Sequence, residues 1–199
     1  MRIAVISEFS AKDKNPFILE ALKPSGAQIF NVGMSGAPGE NELTYIHTGL
    51  IAGIALASGA ADFVVGGCGT GQGFMISAMQ YPGVFCGLIT TPLDAFLFSQ
   101  INAGNCISLA LNKGYGWAGD IDLKYIFEKL FAVEAGGGYP VQRRESQAES
   151  RRRLENISAI AHKGMAEILG AIDPAILEPV RGHKPFMDFI GQYAVVKFF

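Results

Sequence analysis

DFVVGGCGTGQG, residues 62–73, is the stretch that decides the fold. Phe63, Val64 and Val65 form an apolar run with no polar alternation, which is the pattern of a strand buried on both faces of a parallel sheet. The run then enters a glycine-rich turn, Cys68 to Gly73, and the apolar pattern resumes at Phe74 with helical spacing to Gln80. Strand, glycine turn and helix in that order are one step of an α/β fold, whose ligands bind beyond the carboxyl ends of the strands.

Working outward, the same unit recurs on both sides. Ile3 to Ile6 and Ile29 to Val32 read as two earlier strands, and Val84 to Thr90 and Asn105 to Leu111 as two later ones. Helical patterns separate them, opening at Pro16 and covering residues 41–58, 93–101 and 121–132. The expectation is a three-layer, Rossmann-like α/β fold with a five-stranded parallel sheet. Gly136, Gly137, Gly138 and Pro140 break the rhythm, so the α/β domain is placed at residues 1–142. Residues 143–199 are expected to add one long helix, 143–172, with an apolar stripe of Leu154, Ile157, Ala161, Met165 and Ile168. A hydrophobic tail follows. With Phe186, Phe189, Ile190, Tyr193, Val195, Val196, Phe198 and Phe199, it is too apolar to leave in water and should cover the core or a partner subunit.

Composition narrows the function classes. Apolar residues make up 49% of the 199 and charged residues 17%, which excludes a disordered chain and favours an oligomer that covers apolar surface. A formal charge of −2 gives no basic excess for nucleic acid or an anionic membrane. The chain opens on a strand-like run with no signal peptide, and its three cysteines have no metal-ligand spacing, so a reduced, cytoplasmic setting is expected. The longest tail segment, 186–199, falls short of the roughly 20 apolar residues of a membrane span.

The glycine turn fits neither nucleotide motif. A P-loop needs Lys and Ser or Thr where Gln72 and Gly73 stand, and the dinucleotide fingerprint needs a small residue where Phe74 stands. What distinguishes it is the thiol. Amide donors at the start of the following helix are expected to lower the pKa of Cys68 and make its thiolate a base. With a polyhydroxy carbonyl compound above it, proton abstraction gives an enediolate, which Thr70 and the amides of Gly69, Gly71 and Gly73 would stabilise. The plain alternative is a small buried residue ending a strand. That is the reading given to Cys86 and Cys106, which lie inside apolar strands.

These residues carry a resemblance to the type B ribose-5-phosphate and galactose-6-phosphate isomerase family, spanning roughly residues 2–161. GCGTGQG, 67–73, matches best and puts the family's catalytic cysteine on Cys68 and its active-site threonine on Thr70. TYIH, 44–47, resembles the segment that carries its substrate-contacting tyrosine, here Tyr45. TPLDAFLFSQINAGNCISLAL places its asparagine on Asn102, and RLENISAI, 153–160, places a phosphate-binding arginine on Arg153.

The resemblance implies aldose–ketose isomerisation of a sugar phosphate without metal or cofactor, in a homodimer or larger assembly whose sites are built from two subunits. Departures are informative. The Asp-His pair after the first strand is Glu8-Phe9, with Glu8 kept as a substrate-binding candidate. The ring-opening histidine falls on Ile101, and a second phosphate arginine falls on Glu149. An isoleucine transfers no proton, so a substrate that needs no ring opening is expected, such as a four-carbon sugar phosphate. Arg143, Arg144, Arg151, Arg152, Lys12 and Lys14 are the candidates to replace the lost cation. His47 shares a helix with Tyr45 and reads most simply as a surface histidine, while His162 and His183 sit in no motif. A subunit that needs a different partner chain, and a module that only binds a phosphorylated effector, remain as competing readings.

Overall fold

The computed structural model describes residues 1–199. Five strands, β1 (Arg2–Ser7), β2 (Gln28–Asn31), β3 (Phe63–Cys68), β4 (Cys86–Ile89) and β5 (Cys106–Ala110), form one all-parallel sheet in the order β2-β1-β3-β5-β4. The expected strands are all present, each shifted by one or two residues. Ser7 lies opposite Gly67 and Cys68 opposite Ala110, so β1, β3 and β5 end side by side at the carboxyl edge.

Alternation within each strand feeds two cores. Ile3, Val5, Val65, Ile107 and Leu109 face helices α1 (Asn15–Leu22), α4 (Pro92–Leu97) and α5 (Gly119–Phe131). Ala4, Ile6, Val64 and Cys106 face α2 (Tyr45–Ala57), α3 (Gln72–Ala78) and the C-terminal helices. Buried Phe74 of α3 presses its ring on Gly66, where a Cβ would lie 2.1 Å from a ring carbon. This explains the glycine in the middle of β3: the helix carrying the turn's exit sits directly on the strand carrying its entry.

The C-terminal region departs from the expected single helix. α6 (Arg144–Ala161) stops at His162, whose backbone turns extended, and Gly164 starts a new helix, α7 (Met165–Ala171). Glycine in mid-helix costs about 1 kcal/mol relative to alanine, and here the chain uses it to change direction. The expected stripe is divided accordingly, with Leu154 and Ile157 exposed on α6 but Met165 buried and Ile168 packed on the core.

The apolar tail is two further helices, α8 (Pro174–Arg181) and α9 (Lys184–Tyr193), laid over α2 and β2. Phe189 and Tyr193 stack with Phe30 at ring separations of 4.9 and 4.7 Å. Only its end, with Val195, Val196 and Phe199, stays in solvent. No helix is long and apolar enough to cross a membrane.

Candidate active site

The carboxyl edge assembles a site from four segments. Cys68 is the last residue of β3, 6% exposed, and α3 begins only at Gln72. The thiol therefore lies before the helix's first turn and not within it, with the glycine turn folding between. Thr70 Oγ1 lies 3.9 Å from the Cys68 sulfur and accepts the Gln72 amide at 3.3 Å. Gly71 caps α3 with φ of 75°, a conformation that glycine adopts without strain, and a side chain there would meet Leu88.

Two of the three glycine amides assigned to the ligand are already used. Gly69 N–H donates to Ser10 Oγ at 3.1 Å, and Gly71 N–H donates to the Cys68 carbonyl at 3.2 Å. The amides of Thr70 and Gly73 make no internal hydrogen bond and belong to residues that reach solvent, so they are the donors open to a ligand; the unpaired amide of Phe74 belongs to a fully buried residue. Gly69 is clamped from both sides. Its carbonyl accepts from the amides of Asn112 and Lys113 at 2.9 and 2.8 Å, and Asn112 Nδ2 donates to the Ser10 carbonyl at 2.8 Å.

Glu8 stands where the register puts it beside Cys68 and is 5% exposed. Oε1 accepts from the Ser10 amide and from the Ser10 hydroxyl in a short bond, and Oε2 has no protein partner. Ser10 and Asn112 are the residues that sequence reasoning missed. Asn112 could have been found, because a polar side chain straight after β5 must lie at the ligand edge. Ser10 had no such signal, since it comes to Gly69 only because the parallel strands β1 and β3 end side by side.

Tyr45, 46% exposed, opens α2, and its ring lies on Gly73, where a Cβ would be 3.0 Å from the ring. Thr44 caps the helix, and His47 Nδ1 accepts the Thr44 amide at 3.0 Å. His47 is thus a capping residue, half-buried, and burial pushes its pKa below the ordinary value against the opposing influence of the Ala175 carbonyl and Glu42. Cys106 is fully buried, and burial followed by its neighbour Cys86 pushes its thiol up, as suits a core residue.

Asn102 and Arg153 are not part of this cluster. Asn102 ends a wide helical turn, Phe98–Asn102, that precedes β5, and so lies at the amino edge of the sheet, about 16 Å away along a five-residue strand. Arg153 projects from α6 into solvent and pairs with Glu149 at 2.9 Å; Arg152 pairs with the same carboxylate. Together they hold Glu149 below the usual carboxylate range. Arg151 is a structural clamp, donating to the Ile101 carbonyl at 2.9 Å. Of the other cations, Lys12 covers the Phe9 ring, Lys14 pairs with Asp13, and Arg143 bonds Ser146. Beside Asn102 and Ile101 a cavity of about 300 Å³ opens, lined also by Met79, Cys86, Arg151 and Leu154.

The family model described as Ribose/Galactose Isomerase matches residues 3–146. The chain belongs to that family.

Among solved structures, 4-deoxy-L-threo-5-hexosulose-uronate ketol-isomerase complexed with a tartrate is 40% identical, with a TM-score of 0.96 over 100% of this chain and 95% of that one. Ribose-5-phosphate isomerase from Vibrio parahaemolyticus is 44% identical, with a TM-score of 0.94 over 98% and 94% of the two chains. Ribose-5-phosphate isomerase B of Clostridium thermocellum, 24% identical with a TM-score of 0.64, shares the fold over 81% of this chain and 99% of its own. No curated protein sequence matches. The ribose/galactose isomerase model ends at residue 146, whereas the two relatives above 40% and at 40% identity extend through the C-terminal helices. The chain is a sugar isomerase of this family with a C-terminal extension.

Proposed function

We propose that the chain interconverts an aldose and a ketose through an enediolate, with Cys68 as the base and an open-chain sugar carrying a terminal anion as substrate. The observation that carries this reading is the thiol at the end of β3 beside a turn whose Thr70 and Gly73 amides are unpaired and reach solvent. The Cys68 thiolate takes the proton from the carbon next to the carbonyl, and the electron pair moves to the carbonyl oxygen. The open amides meet the charge as it develops on that oxygen, which is where preorganised donors act most strongly. Returning the proton from Cys68 to the neighbouring carbon completes the exchange, while the Thr70 hydroxyl passes the hydroxyl proton between the two oxygens. Glu8 Oε2 accepts a substrate hydroxyl, and Tyr45 closes the site from the α2 side.

The position of the ring-opening histidine is Ile101, which favours a substrate that does not close. A 4-deoxy-5-hexosulose uronate, the substrate class of the 40% identical relative, has no hydroxyl at carbon 4 and a ketone at carbon 5. Neither carbon carries a hydroxyl that could close a five- or six-membered hemiacetal directly on the aldehyde; only hydration of the ketone would supply one. Its anion is a carboxylate, which one arginine fork can hold, whereas a phosphate dianion draws more cationic partners. Arg152 and Arg153 sharing the one carboxylate of Glu149 supports the lower demand. Because Asn102 and Arg153 lie at the far edge, the reading assigns them to the site of a second copy, giving a homodimer or larger assembly.

Proton exchange in heavy water followed by NMR tests this, with hexosulose uronate beside four-, five- and six-carbon sugar phosphates and Cys68→Ala as control. Exchange next to the carbonyl, greatest with the uronate and lost in the variant, is expected. Exchange that survives Cys68→Ala removes the cysteine base; a preference for a ring-closing sugar phosphate removes the open-chain substrate.

A further inference from the structure

The cavity of about 300 Å³ beside Asn102 combines an apolar lining with a few polar groups. Gln147, Ser150, Arg151, Leu154 and Glu155 reach it from one face of α6, at the helical spacing of three and four. The rest of the lining is mostly apolar and includes Met79, Phe98 and Ile101. Two of the α6 polar groups are already engaged: Gln147 brackets the Tyr139 backbone, and Ser150 Oγ donates to the Ser146 carbonyl. The Arg151 guanidinium, the Glu155 carboxylate and the Asn102 amide are left to meet a ligand. Arg153, exposed and paired with Glu149, does not line the cavity.

Arg151 is half-buried where Arg152 and Arg153 are exposed. One of its five N–H donors, on Nη1, goes to the Ile101 carbonyl at 2.9 Å; Nε and Nη2 have no acceptor, and unlike its two neighbours the side chain makes no ion pair. The guanidinium is held from a second side by the glycine segment, where a Cβ on Gly136 would lie 2.9 Å from Nη2 and the Gly136 amide donates to the Ser99 carbonyl at 2.8 Å. Arg151 is therefore fixed against the wide turn Phe98–Asn102. Ala103, next along and also in the lining, has φ of 44°, the one non-glycine residue in the left-handed region. Such a conformation persists where the surroundings over-determine it, and the Arg151 clamp with the bond from the Ala103 amide to the Phe98 carbonyl, 2.8 Å, does so here.

We propose that this cavity is a specificity pocket for the uncharged, deoxygenated stretch of the substrate, with Arg151 as the residue that recognises a ketone there. The assignment rests on the reading of the substrate as an open-chain deoxy-oxo uronate given above. The free N–H groups of Arg151 donate to the carbon-5 ketone oxygen, the carbon-4 methylene lies against Ile101 and Leu154, and Glu155 accepts the carbon-3 hydroxyl. Charge supports this division. Arg151 and Glu155 cancel, so the cavity offers no net charge to a phosphate dianion, whose oxygens would face the Glu155 carboxylate. The anion is left to Arg153, outside. A hydroxyl on carbon 4 would lose its water against Ile101 and gain no partner, so the isoleucine selects for the deoxy carbon.

The test titrates the full chain with 2-oxobutyrate, which reproduces the carboxylate, ketone and methylene end of the uronate, beside butyrate and inorganic phosphate. Binding is followed by NMR at the Ile101 and Leu154 methyl groups. 2-Oxobutyrate is expected to shift both and to bind about tenfold more tightly than butyrate, as one charge-assisted hydrogen bond provides, while phosphate shifts neither. Arg151→Met should bring the two acids to equal affinity. A merely structural role for Arg151 would weaken both alike and keep their ratio. That result overturns the proposal, as do methyl signals that stay still or butyrate that binds as tightly as 2-oxobutyrate. Ile101→Asn probes the other wall without removing the clamp: the preference in kcat/KM for the 4-deoxy uronate over its 4-hydroxy counterpart should fall about tenfold, and an unchanged preference overturns the proposal. The methyl shifts should persist in Cys68→Ala. Arg151-dependent shifts without proton exchange on the uronate would remove the isomerase reading and leave the pocket, whereas exchange with unmoved methyl signals would remove the pocket and leave the isomerase.

Discussion

The two edges of the sheet differ in how much of their arrangement one chain supplies. At the carboxyl edge, Glu8, Ser10, Gly69 and Asn112 form a closed hydrogen-bond set that fixes the turn after Cys68, with Glu8 and Cys68 almost wholly buried. At the amino edge, Asn102 is exposed and Arg153 sits on an exposed helix, paired with a carboxylate of its own helix. Exposed pairs of this kind contribute little to stability, about 0.3–0.5 kcal/mol at helical spacing, so Arg153 is easily redirected. The contrast suggests a division of labour. On the mechanism proposed above, proton transfer, which needs fixed geometry, falls where the fold is rigid, and recognition of the anion falls to groups that a second copy would have to order.

The sharpest way to break this contrast is Cys68→Ala. Exchange next to the carbonyl should fall by on the order of 10²–10⁴-fold, the usual contribution of a positioned base, with the thermal midpoint nearly unchanged. A variant that retains exchange would leave the carboxyl edge without its chemical role.

Next in size is Arg153→Ala, expected to raise KM about tenfold or more through loss of a charge-assisted contact while leaving proton transfer on bound substrate intact. Mixing chains bearing Cys68→Ala with chains bearing Arg153→Ala sharpens the comparison. If the edges belong to different copies of one site, mixed oligomers contain one intact site and activity reappears above that of either parent. If each chain were self-sufficient, mixing would recover nothing.

Ser10→Ala probes the rigid edge alone. It leaves Glu8 Oε1 and the Gly69 amide short of a partner in a partly buried site, which should cost about 1–3 kcal/mol of stability and lower kcat more than it changes KM. Equal loss in kcat and KM would mean that the clamp serves binding and not the turn's geometry.

The smallest effect is on acid stability. His47 and His183 both have pKa values lowered by burial, against opposing contributions from Ala175 and Glu42 for the first and from Gly33, Glu40 and Val32 for the second. The unfolded chain therefore takes up their protons first as pH falls. Their stabilisation is complete above the unfolded value near 6.5 and declines as pH drops through it towards the lower folded values. The thermal midpoint should begin to fall below about pH 6.5, ahead of the carboxylates, and His183→Gln should flatten that part of the curve. A midpoint constant between pH 7 and 5 would rule out the buried histidines as acid-sensitive sites.

Much of this was legible in the sequence because it is local. Continuous apolar runs marked all five strands, and GCGTGQG marked the turn, since an uninterrupted hydrophobic strand and a glycine-dense loop follow from neighbouring residues. The extension was misjudged for the same reason. Leu154, Ile157, Met165 and Ile168 keep helical spacing straight through Gly164, and periodicity alone does not register that the chain turns there.

What the sequence alone determined is the α/β order and the family resemblance, and with them the candidacy of Cys68 and Thr70, because each is carried by spacing along the chain. Only the tertiary structure decided that Ser10 and Asn112 clamp Gly69, that the open amides are those of Thr70 and Gly73, and that Asn102 and Arg153 stand at the opposite edge. The physical reason is that a hydrogen bond depends on distance and direction in space. Ser10 and Gly69 are 59 residues apart in sequence yet 3.1 Å apart in the fold, because parallel strands β1 and β3 end together.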